Sequence, residues 1–398
     1  MANAVQAWLV NAYDQVEAPG STLGGVRAGS TADHIAALFS AIFVHVRGLP
    51  MFSTLLGFGI GLIVASMHRK GYPVRPTRRT LARRYGILAL FGLIHMFGLF
   101  YGDIMFIYGA IGVVMAFLIT LSSTWLRVIA YAILILSALT SGASAVMLYH
   151  LGDGLNTALV PPAPELTTLG TYLRENATGG LLMLANTPFA IIQLGALVII
   201  GYVWAREGYL VNVEQHRGLL TRWVVLGAVV ALGIGVPWGL AGIGVLDPRF
   251  ETPLYVMNQA LGAVTGPAIL AAIALAANGA QQRMTANGGA VPGWAYPFVA
   301  LGKRSMSGYL ALSFLFVVLV MPFGFGWGLE ASISGKLLVG VAVWLITLAL
   351  AVILEHTDTP GPFEQLHRRL AYGPTRRIEP YSPAALAQHS PQSTQPAE

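Results

Sequence analysis

The sequence predicts an all-α protein: a bundle of helices that crosses a membrane many times. Three observations carry this. Charged residues make up 10% of the chain and hydrophobic residues 55%, far from the balance of a soluble domain. Apolar runs of nearly twenty residues recur along the chain, and that is the length a helix needs to cross a bilayer. Lys and Arg gather in the links between these runs, as the positive-inside bias requires. A net charge of +6 would suit nucleic acid. Basic residues parcelled out between apolar runs fit a lipid bilayer instead, so no nucleic-acid partner is expected. The chain has no cysteine, which excludes disulfides and thiolate metal sites.

Taken in order, residues 1–12 are apolar but too short to cross, and they lack the basic start of a signal peptide. After a polar loop, Asp33 is expected to cap a helix, HIAALFSAIFVHVRG, that carries His45 and Arg47 and lies in the interface. Residues 1–48 thus read as an external N-terminal segment and 49–354 as the membrane bundle. The first span, roughly 49–67, holds Gly57 and Gly61 in GxxxG spacing, which lets another helix approach closely and would serve a homodimer.

Next comes HRKGYPVRPTRRTLARR, with seven Lys or Arg and no acid. Pro73 and Pro76 are expected to break any helix there. This segment sets the topology as cytoplasmic, and Arg83 and Arg84 at its end are candidates for holding phosphate groups. Further spans are expected at roughly 85–101, 104–121, 128–149, 186–204, 223–245, 256–278, 306–323 and 336–354, with a long external loop at 150–185. Pro237 predicts a kink in the sixth. Residues 355–377 read as a cytoplasmic segment with a short amphipathic helix, Phe363, Leu366 and Leu370 on one side. Residues 378–398 read as a disordered tail. With nine spans, 18 of the 23 Lys and Arg fall inside, so the C-terminus is cytoplasmic.

The hairpin YGILALFGLIHMFGLFYGDIMFIY concentrates the chemistry. His95 lies eleven residues beyond Arg84, about 16 Å deeper along a helix. Asp103 is eight residues further on, about 12 Å along the axis. A titratable side chain is costly in hydrocarbon and is usually buried in the bundle, often at a functional site. A neutral imidazole there can take a proton from a hydroxyl. Asp103 can orient it if the turn folds back, or can simply cap the next helix. Tyr108, one turn beyond, can face the same cavity. Lys303, Arg304 and Ser307 stand at the cytoplasmic entrance of the eighth span. With Arg83 and Arg84 they would form an anion site, while His45, Arg47, His95 and Asp103 lie further out. No HExxH, P-loop or GxSxG is present, so no metal site is assigned.

The runs RGLPMFSTLLGFGIG, ARRYGILALFGLIHMFGLFYGDIMFIYGAIG, LGKRSMSGYLALSFLF with PFGFGWG, and GPFEQLHRRLAYG resemble the YeiB family of bacterial membrane proteins. The likeness covers most of the chain from about residue 40 to 373. The family is similar to the transmembrane acyltransferases, whose core has about ten helices. It normally opens with a helix bearing L-D-x-L-R-G. Residues before Asn11 resemble only the tail of that helix, which would give ten spans with both ends inside. The resemblance implies an inner-membrane protein that passes an acyl group from a cytoplasmic acyl-coenzyme A donor to an acceptor across the membrane. The acceptor would be a small-molecule, sugar or lipid-linked envelope precursor, with a membrane histidine as base or acyl carrier. No tightly bound cofactor is expected. Transport of a small or amphipathic anion, or a dimeric scaffold without chemistry, remain the other readings. On the scaffold reading, Gly57→Leu disrupts association.

Overall fold

The computed structural model describes residues 21–151, 166–286 and 288–382, apart from 28, 290 and 330. Residues 1–20 with their partial helix, the prolines 161, 162 and 164, and all but the first residues of the tail lie outside this range. Every regular element among the described residues is helical. Thirteen helices of eight residues or more are used here. They are α1 (Thr31–Phe39), α2 (Gly48–Arg69), α3 (Val74–Gly98), α4 (Ile104–Leu118), α5 (Ser123–Leu151), α6 (Leu169–Arg206) and α7 (Val213–Gly242). After these come α8 (Glu251–Leu261), α9 (Thr265–Ala286), α10 (Tyr296–Lys303), α11 (Ser305–Leu319), α12 (Ile333–His356) and α13 (Pro362–Tyr372).

The burial pattern is that of a protein solvated by hydrocarbon. Ile94, Phe117, Leu139, Phe189, Val229 and Leu338 point outward, while Asp33, Arg47, His95, Asp103, Asn258 and Arg304 are buried. Among the described residues, six helical stretches are long and apolar enough to cross a membrane: Thr31–Arg69, Ser123–Leu151, Leu169–Arg206, Val213–Gly242, Pro248–Ala286 and Ile333–His356. They correspond to the expected spans one, four, five, six, seven and nine. The other three are different in kind. α3 carries five arginines in its first half. α4 and α11 have 15 residues each, about 22 Å of helix against a hydrocarbon core of about 30 Å.

Several local expectations are corrected. Pro76 does not break α3. It sits in the first turn, where proline removes no intrahelical hydrogen bond, and Pro73 is the N-cap residue. Asp33 is not the cap of α1. Ser30 accepts from the Asp33 backbone N–H, and the Asp33 carboxylate accepts from Arg27 N and from the Ser332 and Ser334 hydroxyls. The segment read as interfacial packs on α7 and α12 and continues through a π-helical turn, Ser40–Val44, into the turn before α2. Of the external loop read at 150–185, residues 169–185 belong to α6, which opens at Leu169 with Thr168 and Thr171 forming a capping box, and 152–165 lie outside the described residues. The seventh span is divided at Gly262–Val264 into α8 and α9.

The Gly57–Gly61 face is not available to a second copy. α2 packs along α6, so closely that a Cβ on Gly57 would lie 1.9 Å from the Val198 carbonyl oxygen. On α6 the contact is reciprocal: a Cβ on Gly201 would lie 1.8 Å from the Thr54 carbonyl oxygen. The small-residue motif therefore joins two helices of one chain. That removes the surface on which the dimeric scaffold rested.

Candidate functional site

α3 and α4 form the hairpin that carries His95 and Asp103. Their axes come close because glycine faces backbone. A Cβ on Gly92 would lie 2.0 Å from Phe106 N, and one on Gly109 would lie 2.3 Å from Ala89 N. α3 ends at Gly98 with Leu99 N and Phe100 N both bonded to the His95 carbonyl. The chain then reverses, and Asp103 comes back against its own helix. His95 Nδ1 lies 2.7 Å from Asp103 Oδ2. The axial separation of about 12 Å expected from helical rise does not apply, because the helix stops three residues after the histidine. Asp103 also caps α4, its Oδ1 accepting from Phe106 N at 2.7 Å. The two alternatives for Asp103 are one arrangement: one oxygen caps and the other holds the imidazole.

Both side chains are buried, with His95 3% and Asp103 0% exposed. With Nδ1 bound by the carboxylate, the other ring nitrogen is left over. His95 Nε2 is buried and has no hydrogen-bond partner among the described residues. A third group closes the site from α11. The Tyr309 ring centroid is 5.2 Å from that of His95, and its hydroxyl accepts from Ile104 N at 3.4 Å, next to the Asp103 carboxylate. Tyr108 packs beside it. Its hydroxyl donates to the Leu49 carbonyl and lies 3.1 Å from Ser53 Oγ, while its ring stacks on Phe52.

α6 secures the far end of this hairpin. Asn176 donates to the Met96 and Phe97 carbonyls at 2.7 and 3.0 Å and accepts from Tyr101 N at 2.5 Å. The Tyr172 hydroxyl donates to the Leu99 carbonyl. These bonds satisfy carbonyls that the end of α3 leaves open. Replacing Asn176 with leucine strands two carbonyls and one N–H in the interior. We expect a loss of about 2–3 kcal/mol, read as a lower melting temperature of the purified protein in detergent. A parental melting temperature would show that the carbonyls find other donors.

His45 and Arg47 belong to a separate cluster. The guanidinium of Arg47 donates to the Ile42, Ala41 and Val46 carbonyls and to Asn258 Oδ1. The His45 ring meets Trp238 edge-on at 4.8 Å. Both serve the turn before α2, where Val46 has a φ of 54°, a strained value for a β-branched residue.

At the basic end of the bundle, all five N–H donors of Arg304 are used. They go to Glu355 and to the Ala300, Leu354 and Thr359 carbonyls, which leaves none for a ligand. Lys303 shares Glu355. Ser307 donates to Glu364, whose other oxygen accepts from Met306 N and Ser307 N. Arg84 donates to the Tyr372 hydroxyl at 2.7 Å, while Arg83 is exposed. Among the described residues no hydrogen bond or ion pair joins Lys303, Arg304 or Ser307 to Arg83 or Arg84; α13 meets Ser307 through Glu364 and Arg84 through His367 and Tyr372. A cavity of about 910 Å³ opens here, lined among others by Lys303, Arg304, Arg368, Arg376 and Arg377, with Glu355, Asp358, Glu364 and Glu379 interspersed.

His367 on α13 bonds through Nε2 to the Arg84 carbonyl at 2.9 Å. Burial, and then the neighbouring Arg84 charge, lower its pKa from 6.5 to about 4. A released α13 would bind a proton in the window between those values and the docked one would not. Docking is therefore strongest above pH 6.5 and is lost as pH falls toward 4, with about 3 kcal/mol at stake. Amide hydrogen exchange over 362–372 should rise across that window. His367→Gln, which keeps an N–H donor but does not titrate, should flatten the response.

Asn176, Glu364 and His367 were not singled out in the sequence. Tyr309 drew notice only as one of the hydroxyls that follow the basic pair Lys303 and Arg304, since no spacing ties α11 to the hairpin. Asn176 lay in the stretch read as loop, although Thr168, Thr171 and the absence of proline from 169 to 187 are helix-start signals.

The fold and this site define a multi-pass, all-helical membrane protein with a buried imidazole–carboxylate pair held between a helical hairpin and α11. Residues 204–374 match the profile of a family described as "Protein of unknown function (DUF418)", a YeiB-like family. The chain is also similar to "Uncharacterized protein YxaH" of Bacillus subtilis (strain 168). The two are 23% identical over 370 residues, covering 86% of this chain and 83% of that protein. No solved structure matches. The family match includes α11 and α13 but not the hairpin, so the site is assembled from matched and unmatched parts of the chain.

Proposed function

We propose that this protein is a membrane-embedded acyltransferase of the bacterial plasma membrane, with its C-terminus in the cytoplasm. The observation that carries the reading is the unpartnered, buried Nε2 of a histidine whose Nδ1 is held by a carboxylate. An Nδ1–H donated to Asp103 leaves the lone pair on Nε2, the arrangement of a general base with an orienting acid. The base removes the proton from an acceptor hydroxyl on a sugar or lipid-linked envelope precursor. The oxygen attacks the thioester carbonyl of an acyl-coenzyme A. The C–S bond breaks as the ester forms, and the thiolate leaves with the proton returned by His95. Lys303, Arg368 and Arg377, around the cavity at the basic end, meet the donor's phosphates. Arg304, fully engaged, shapes that cavity and does not bind.

The test is thiol release from an acyl-coenzyme A panel by the purified protein in nanodiscs, with and without envelope lipid extract as acceptor. Acceptor-dependent release supports the reading. A folded protein that neither binds nor cleaves any thioester overturns it. Flux of a labelled anion into liposomes without a thioester would then put transport in its place.

A further inference from the structure

α13 is docked by one face and bare on the next. His367 and Ala371 are buried against the bundle, while Phe363, Leu366 and Leu370 are 40%, 45% and 40% exposed. Their i, i+3, i+7 spacing makes one continuous apolar row. Arg368 lies on the side of the helix opposite this row and Arg369 flanks it beside Leu366, and both are exposed.

The depth of α13 can be read from what it touches. The His367 ring bonds the Arg84 carbonyl and also lies 6.1 Å from the ring of Phe91. Arg84 is the last of the five arginines of α3, and the apolar run begins at Tyr85. A side chain that meets both Arg84 and Phe91 sits at the level where the basic half of α3 gives way to the apolar half. In a bilayer that level is the boundary between headgroups and acyl chains. An apolar row exposed at that level, backed by Arg368, flanked by Arg369 and near the arginines of α3, complements a leaflet with anionic headgroups.

We propose that α13 seats in the membrane surface on the basic side of the bundle. Phe363, Leu366 and Leu370 enter the acyl boundary, and the arginines meet anionic headgroups. The seat has a structural consequence. Glu364 caps the start of α11 through Met306 N and Ser307 N, three and two residues before Tyr309. His367 holds α3 at Arg84 and Phe91, one turn before His95. The lipid-seated helix thus braces both elements that meet at the buried pair. This inference stands apart from the proposed chemistry and needs only the membrane setting.

The cysteine-free sequence makes the test direct. Leu366→Cys and, separately, Leu370→Cys and Arg368→Cys carry an environment-sensitive fluorophore in the full-length protein. The proteins sit in nanodiscs of phosphatidylcholine with phosphatidylglycerol, or of phosphatidylcholine alone. Brominated acyl chains should quench the probe at Leu366→Cys and Leu370→Cys several-fold more than at Arg368→Cys. Aqueous iodide should show the reverse order. The lipid quenching should be stronger in the anionic discs. Iodide reaching all three alike would overturn the proposal, as would equal lipid quenching in both disc types. So would probes shielded from both quenchers, which would mean a cover of protein, from residues beyond 382 or from a second copy.

Discussion

On the proposed acyl transfer, His95→Ala should lower turnover by about 10²–10⁴-fold, the range a positioned general base contributes, while the bundle stays assembled. The structure explains why the two effects separate. Among the described residues His95 makes one side-chain hydrogen bond, to Asp103, and its Nε2 bonds nothing. Asp103 keeps its bond from Phe106 N when the ring is lost, so the start of α4 is still capped. Asp103→Asn is the sharper variant. If the amide oxygen keeps the cap on Phe106 N, the NH₂ faces the imidazole, donates to Nδ1 and favours the wrong tautomer of His95. Turnover should fall with little change in melting temperature. Asp103→Ala removes the cap as well, which costs about 1 kcal/mol, and should lower both. The readout is thiol release in nanodiscs beside a thermal melt of each variant. A His95→Ala protein with parental turnover would remove the imidazole from the chemistry. A His95→Ala protein that does not fold would make the pair a structural bond.

Gly57→Leu and Gly201→Leu each destroy the fold and do not merely separate two copies. A side chain at either position must displace the backbone of the facing helix, since the first added carbon already falls within 2 Å of a carbonyl oxygen. Overpacking of a core costs about 1–3 kcal/mol where side chains can yield. Here the neighbour is backbone, and we expect more than that upper figure. The measurement is gel filtration of the detergent-solubilised variants with a thermal melt. Aggregated or missing protein is the expected result for both. A folded, monodisperse protein of smaller size would instead return the Gly57 face to an interface between copies.

The same pair of helices shows how far sequence reasoning reaches. Gly57 and Gly61 announce a close helical contact, because few other reasons place small residues four apart on an apolar face. Nothing in that spacing says whether the partner is a second copy or α6 of the same chain. The long helix that supplies Gly201 began in a stretch whose polar residues read as loop. Asn176, polar and buried, is there to bind the open carbonyls of α3, and that need exists only once α6 has docked.

Composition and the spacing of apolar runs determined by themselves that the chain is helical and lives in a membrane. These are local properties: hydrocarbon tolerates only backbone whose hydrogen bonds are closed within the segment. The sequence also determined that His95 and Asp103 deserved notice, since titratable groups in such runs are rare. Only the tertiary structure decided that they touch, because contact depends on α3 stopping at Gly98 and the chain reversing onto it. It alone decided that Tyr309 joins them from α11, and that Arg304 and Ser307 are spent on Glu355 and Glu364. Those pairings link residues some 50 to 200 positions apart in the chain. They follow from which helices pack together, a choice made by the shape of whole faces and not by any run of neighbouring residues.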